Sequence, residues 1–598
     1  MRTKDYLFLP GINKSHIMRK KIFFVILCHI FAFVKAQTTY QAISQTSFNS
    51  ALSSASSGDI IEWQDGTYSN IYMNITKSGV TVKAETAGGV IFNGTSRVEI
   101  DGDNVTFSGL QFVGGDIVDG STSTIPQTVI TIDGSNVLVT NVNVSQYSCW
   151  KYLRIRDVSQ NTEISYCNFE DRPNYADQNI VQVDVSSSQA GYHHIHHCSF
   201  KNFTGISTGG DDGVEPIRIG ASSQSTYSSK TVVEYNYFTG CEGDGEIISH
   251  KATDCIYRYN TFEGNVKSEL VLRHGDNGIV YGNFFVNGGR GIRIREGSGH
   301  LVFNNYFENL NSKSIHLNNS ESDAVVQNVV IANNTIKNCD RFRLSDGTLD
   351  SGEEYPTNIT LINNIFSDPE SSSGLFRDAT GNETWIGNIA DSSGDMGITL
   401  PASGITYTSP QLTLNANGLY DITSTSPAIN ASTDNAVFPF TTANTDANYT
   451  YDNTLVLDVI KATRPSTVTM KDVGCQEYSA SNILSRHVTE DNTGTDYEIF
   501  VLSSNDQQII DSNFTVYPNP LIDNLVNISF TIDKETAVKV TIYDLSGKKI
   551  TTIVDDIYNV GSFTINKEVN LVSGIYALQI EYNFGGKTVT GVEKLIKK

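Results

Sequence analysis

From about residue 105 to residue 367, short apolar runs alternate with polar turns, and no 3.6-residue period develops. One motif recurs in this pattern: "ISYCNFED", "IHHCSFKN", "VEYNYFTG", "YRYNTFEG", "VYGNFFVN", "VFNNYFEN", "IANNTIKN" and "LINNIFSD". Its fourth position is Cys167, Cys198, Asn236, Asn260, Asn283, Asn305, Asn334 and Asn364, at intervals of 31, 38, 24, 23, 22, 29 and 30 residues. An apolar residue, usually Phe, follows two places later. Units of this length made of short strands predict the coils of a parallel β-helix. Asparagines at one angular position can bond to each other along the axis. The Phe two residues on shares their strand face and fills the core. The leucine spacing of a leucine-rich repeat is absent. Looser coils precede the motif at "VTFSGLQF" (105–112) and "VLVTNVNV" (137–144). The stretch "TSFNSALSSAS" (46–56) predicts a short amphipathic helix with Phe48, Leu52 and Ala55 on one face, a cap for the open end of a solenoid.

The repeat fades after about residue 395, and "DVGCQEYS" (472–479) ends the ordered pattern. Residues 480–513, which include "TEDNTGTDYE", are polar and acidic and read as a linker. Residues 514–598 alternate apolar and polar positions between turn signals, which predicts a small antiparallel β-sandwich. At the other end, "MRKKIFFVILCHIFAFVKA" (18–36) places basic residues before a short apolar core and a small residue. It reads as a secretory signal cleaved after Ala36, too short to favour a membrane span. The expected plan is therefore 1–36 signal peptide, 37–479 β-helix, 480–513 linker and 514–598 C-terminal sandwich, in a monomer.

Charge changes the picture. The chain carries 42 Lys and Arg against 65 Asp and Glu, a net of −23, which argues against nucleic acid as a partner. Residues 250–300 reverse the sign, with seven Lys and Arg against five Asp and Glu. After removal of Cys28 with the signal, seven cysteines remain and no C-x-x-C spacing occurs, so buried free thiols are expected.

Coil length then arranges these charges. Lys251 and Arg273 are 22 residues apart, and Glu246 and Glu269 are 23 apart, each close to one coil. Adjacent coils lie ~4.8 Å apart, so Lys251 and Arg273 are expected to be neighbours on one face. Two stacked cations repel unless an anion lies over them. Arg295 follows by another 22 residues with Arg293 beside it, which suggests an anion-binding groove. Asp244 and Glu246 share a strand face and invite either a calcium ion or a salt bridge. Asp212, 32 residues before Asp244, is placed to supply a third oxygen. His250 and His274 read as groove or packing residues rather than bases. The "HHIHH" run (193–197) would be split between strand faces, which favours a packed turn over a metal site.

Four segments in this order, "DGVEPIRIG", "GEIISHK", "LRHGD" and "GIRIREGSGH", with "GDIIEWQDGTY" near the start, resemble polysaccharide lyase family 6. That family includes alginate lyases and the chondroitinase B type of dermatan sulfate lyase, and the resemblance spans roughly residues 40–480. It implies an all-β, right-handed, pectin lyase-like parallel β-helix and a Ca2+-dependent β-elimination on an anionic polysaccharide. In the resemblance Lys251 is the general base and Arg273 the general acid. Asp212, Asp244 and Glu246 are the calcium ligands, and Arg218, His274 and Arg293 hold substrate, with Arg295 as the alternative to Arg293. Asp212 stands where the family has Asn, and Asp244 where it has Glu; both remain oxygen donors. The chemistry suits these residue types. A uronate C5 proton is weakly acidic, calcium on the carboxylate offsets the charge that builds, and a lysine near other cations has a lowered pKa. "YPNP", "YDLSGKK" and "SGIYALQI" in residues 517–580 resemble the sorting domain of the type IX secretion route. Together these imply a secreted or cell-surface alginate lyase that engages the type IX secretion machinery. The rivals are a dermatan sulfate lyase, a C5-epimerase and a non-catalytic glycan-binding adhesin, with a carbohydrate-binding module as the rival for the C-terminal piece.

Overall fold

The computed structural model describes residues 37–117, 127–173, 179–205, 213–322, 324–368, 374–391, 397–399, 403–433, 446–452, 455–497, 514–532, 536–544, 549–584 and 587–598. The expected signal peptide and Asp212 lie outside these residues. The chain forms two compact units, residues 1–499 and 500–598.

Three parallel sheets run the length of the first unit, with 14, 12 and 14 strands. Consecutive strands of the chain visit the three sheets in turn, so each circuit adds one rung to every sheet. That is a parallel β-helix, wound right-handed as parallel crossovers are. Each strand is short because only its inward residues find apolar partners. In the 12-stranded sheet one inward row reads Ile217, Ile248, Leu270, Ile292, Ile315, Phe342 and Phe376 from rung to rung. The next inward row reads Ile219, His250, Leu272, Ile294 and Leu317. His250 therefore packs inside the coil. Burial holds its pKa down at about 3, and its Nδ1 lies 3.0 Å from the Tyr257 hydroxyl.

The repeated motif is the seam between the two 14-stranded sheets. Each residue before the ladder position takes a left-handed conformation, as Tyr235 (φ 54°), Tyr259 (φ 58°) and Asn304 (φ 52°) do, which turns the chain sharply. The ladder Asn then satisfies the groups that the turn exposes. Asn283 Nδ2 donates to the carbonyls of Tyr257 (2.9 Å) and Tyr281 (3.1 Å) and to Asn305 Oδ1 (3.0 Å). Its Oδ1 accepts from the backbone N–H (3.0 Å) and the amide (3.0 Å) of Asn260. The same bonds link Asn236, Asn260, Asn283, Asn305, Asn334 and Asn364, and they continue to Asn388, one rung beyond the expected ladder. Two residues on, Phe200, Phe238, Phe262, Phe285 and Phe307 stack ring on ring at 4.6–4.9 Å. Each fully buried ring of this kind contributes ~2 kcal/mol.

The N-terminal opening is capped as expected. The helix Gln45–Ser54 starts at Ser44, whose side chain bonds Ser47 in a capping box, and buries Phe48, Ala51 and Leu52. Phe48 stacks on Trp63 of the first coil at 5.6 Å. "HHIHH" behaves as alternation demands: Ile195 points inward, His194 and His196 outward, and His197 makes the turn. All seven cysteines of the described residues are buried free thiols.

The expected linker needs correction over residues 480–497, which lie on the outside of the β-helix. Its apolar residues decide this: Leu484 and Val488 are buried, and the His487 ring sits edge-on to Tyr259 at 4.7 Å. Asn141 and Asp496 exchange hydrogen bonds, and the Tyr497 hydroxyl donates to the carbonyl of Asn141. A polar composition concealed a strap whose few apolar side chains are spaced to reach the coil.

The second unit pairs a three-stranded and a four-stranded antiparallel sheet. Val526, Ile528 and Phe530 of one and Val540, Ile542, Leu578 and Ile580 of the other share one buried core. No helix among the described residues is long and apolar enough to cross a membrane.

Asn283→Ala should lower the unfolding free energy of the β-helix by roughly 3 kcal/mol, since it orphans buried backbone groups on two rungs. Denaturant unfolding read at the β-helix transition checks this, against an Asn→Ala change at exposed Asn287 that should cost much less.

Candidate active site

The outer face of the 12-stranded sheet carries the charged residues. Directly paired positions run Arg218, Ser249, Val271, Arg293, His316 and Arg343 across successive rungs. Lys251, Arg273 and Arg295 each follow one residue after the paired Ile219–His250–Leu272–Ile294 row, and their backbone N–H groups continue the ladder to Ile219, His250 and Leu272. Lys251 and Arg273 are thus neighbours one rung apart, as the 22-residue interval implies. Arg293 and Arg295 lie in different rows of the same face, Arg293 in Arg218's row and Arg295 in Arg273's.

Three buried carboxylates answer these cations. Glu215, only 2% exposed, holds Arg218 at 2.5 and 3.0 Å and lies 3.5 Å from Lys251 Nζ. Glu246 Oε1 accepts from Arg273 at 2.6 Å, so the salt-bridge alternative for this acid is realised. Its Oε2 is buried without a hydrogen-bond partner. Glu269 pairs with Glu246 across the rung, is 1% exposed, and neither of its oxygens has a hydrogen bond. Its ion pair with Arg290 is long, at 3.8 Å. Asp244 is also buried, with one oxygen accepting from Gly213 N–H at 2.7 Å. Among the described residues no three His, Cys, Asp or Glu side chains form a metal-binding group, and Asp212 lies outside them.

Burial drives the proton affinities. It pulls the Lys251 ammonium below the usual lysine range; Arg218 and Arg273 add to this, while Glu215 and Glu246 oppose it. Burial alone would raise Glu246, but Arg273, Ser249 and Lys251 outweigh it and hold the carboxyl low. Glu269 goes the other way, raised by burial despite Lys313, Arg290 and Arg293 nearby. Arg273 loses affinity through burial and regains more from Glu246, so its pKa is raised and it stays a fixed cation.

His274 sits at the groove surface in a left-handed turn (φ 66°), with Nδ1 against the Glu296 carboxylate and Nε2 3.1 Å from the Ser222 hydroxyl. Arg293 donates to Asn318 Oδ1 at 2.7 Å. Arg273, His274, Arg293 and Arg295 line a cleft of about 520 Å3 together with residues 318–321, Asp346 and Glu353. The face therefore offers an amine with weakened proton affinity, a fixed guanidinium beside it, buried carboxylates with unused oxygens, and further cations along the axis. Such a set can hold an anionic chain and move a proton at one point on it.

A family model described as Chondroitinase B matches residues 42–384. The chain belongs to the chondroitinase B family. The match covers every site residue named above. Residues 515–598 match a secretion system C-terminal sorting domain, which marks the chain for secretion or the cell surface. Among solved structures, the polysaccharide lyase family 6 alginate lyase AlyGC is 21% identical, with a TM-score of 0.61 over 81% of this chain and 60% of that one. A variant of AlyGC is 24% identical (TM-score 0.56; 64% of this chain, 55% of that). A mannuronic acid specific family 6 lyase from human gut microbiota is 22% identical (TM-score 0.53; 62% and 91%). These likenesses show the shared β-helical fold. This chain spans 55% to 60% of the length of the AlyGC chains. No curated protein matches it in sequence.

Glu215 and Glu296 carried no expectation of their own, although both lie inside the segments that carry the family resemblance. Glu215 is three residues before Arg218 and 31 before Glu246, which is the signal that could have placed it beside Lys251.

Acylation of Lys251 by an amine-directed reagent should rise with pH at a midpoint below that of surface lysines. Because Glu215 supports the protonated form, Glu215→Gln should shift that midpoint further down. Peptide mass mapping across a pH series checks both; an unchanged midpoint in the variant would show that Glu215 does not control the amine.

Proposed function

We propose that the chain is a secreted polysaccharide lyase that cleaves a uronate polymer, alginate first, by β-elimination to leave 4,5-unsaturated ends. The observation that carries this is Lys251, a buried amine of lowered proton affinity, one rung from the fixed cation Arg273 on a face lined with anion-binding side chains. Lys251 in its neutral form takes the C5 proton. Arg273 donates hydrogen bonds toward the leaving O4; its high proton affinity makes water the proton source there. Arg218, His274 and Arg293 hold neighbouring uronates in register with the rungs.

What supports a hard divalent cation is the pair Glu246 and Glu269, since the described acids alone bring no three carboxylates together. Glu246 keeps one buried oxygen without a hydrogen bond, Glu269 beside it keeps two, and all donors in the cluster are carboxylates. Asp212, Asp244 and Glu246 would hold calcium, which when bound supplies positive charge to offset the substrate carboxylate as the C5 proton leaves. Arg273 would then share Glu246 with the ion, and Lys251 would lose more of its proton affinity.

Dermatan sulfate is the second reading, favoured by the chondroitinase B match itself. Alginate is preferred because the cations of the face are largely balanced by the chain's own acids, which leaves little surplus charge for sulfate. An adhesin would need neither the amine nor its partner.

Lys251→Arg keeps the charge but cannot act as a base, and Lys251→Ala removes both. Each should lower kcat by ~10²-fold or more if Lys251 abstracts the proton. A folded Lys251→Arg protein turning over near the unsubstituted rate would contradict the assignment, whereas a raised KM alone in Lys251→Ala would make the residue an attractor. For the metal, excess chelator should abolish turnover and calcium should restore it. Glu246→Ala should raise the calcium requirement more than Asp212→Asn, and calorimetric calcium titration reads this without activity.

A further inference from the structure

We propose that the groove is closed by charge at its C-terminal end, so that the enzyme works from a chain end and releases short products. This rests on the lyase reading above. The rung spacing of ~4.8 Å is close to the length of one uronate residue, so a chain lying along the axis offers about one carboxylate per rung. In the outward row Arg218 is held by Glu215, whereas Arg293 faces the cleft with a neutral partner, Asn318, and can receive a carboxylate.

One rung later the row changes character. His316 is taken by Asp346 at 2.7 Å, and Arg343 by Asp378 at 2.9 Å. The Asn318 amide also donates to Asp346, at 2.6 Å. After the two strands that carry His316 and Arg343 the chain forms a short antiparallel ribbon, Ser320–Glu321 against Glu353–Glu354. Its register sets Glu321 directly opposite Glu353. Like charges paired across strands destabilise a ribbon, so these two are no aid to its folding. Both line the same cleft as Arg273, Arg293 and Arg295, together with Asp346. A polyanion passing Arg293 therefore meets Asp346, Glu321 and Glu353 on the cleft wall, with Lys313, 3.2 Å from His316, the cation beside that rung. A wall of the substrate's own sign limits how many residues fit beyond the reacting bond, and an end of the chain fits best.

The test follows a long alginate through its first few per cent of cleavage, recording viscosity and ultraviolet absorbance together and sizing the products. The wild-type protein should gain absorbance while viscosity falls slowly, with unsaturated products of one short length from the start. Glu321→Lys/Glu353→Lys should release longer oligomers and raise the viscosity loss per bond by about tenfold, the effect expected when a like-charge block becomes attractive. Glu321→Gln/Glu353→Gln should move the same way by less, and guards against a folding defect in the reversed variant. High salt should also lengthen wild-type products, because exposed charges are screened. A wild-type protein that collapses viscosity at its first cuts, or variants with the wild-type product pattern, would overturn the proposal while leaving the lyase reading intact. Absence of unsaturated product from every uronate polymer would overturn both.

Discussion

The rest of the molecule depends on rung-to-rung register. Every coil must land on the one before it with inward and outward positions unchanged, since a slip of one residue would turn the core face to solvent. The buried amide ladder from Asn236 to Asn388 enforces this at the sharpest corner, where the left-handed turn would otherwise leave backbone groups without partners. Coil lengths vary widely between ladder positions, yet the variation is confined to the loops between strands. The ladder thus separates two duties: it holds the coils in register, and it leaves loop length free to shape the outer face.

That separation is what makes the charged face possible. Lys251 and Arg273 are close because their strands are locked together, not because they attract each other. Their repulsion, and the cost of burying them, is met by Glu215 and Glu246, each one rung before the cation it faces. The compensation is uneven. Glu215 serves Arg218 at full hydrogen-bond distance and Lys251 only at 3.5 Å, so Lys251 keeps a weakened hold on its proton. Glu269 has unsatisfied oxygens in a setting that normally disfavours charge. A face built only for stability would replace such groups with apolar ones. Incomplete compensation in a rigid frame is the mark of a site prepared for a ligand.

Much of this was legible in the residues. Recurrence of Asn with Phe two places on revealed both the ladder and the stacked core, and the interval between Lys251 and Arg273 revealed their adjacency, because in a solenoid sequence distance converts to spatial distance one coil at a time. What was hidden followed from the same rule. Residues 480–497 do not repeat, so composition alone spoke for them, and the few apolar residues that bind the strap were outvoted by their polar neighbours. Glu321 and Glu353 belong to loops of unequal length on successive coils, and nothing periodic in the sequence aligns them. The sequence leaves His250 open between groove and packing, and alternation decides for packing, since it sends the ring into the core.

The central claim is that this face removes a proton and breaks a glycosidic bond, and the chemical identity of the product tests it most directly. Purified chain, supplied with calcium, should convert alginate to oligosaccharides that absorb in the ultraviolet through a new C4–C5 double bond and whose masses equal the saturated oligomer less one water. Products of unaltered saturated mass would mean hydrolysis; polymer with changed uronate composition and no chain cleavage would mean epimerisation. Either result, or binding without any conversion, would contradict the account.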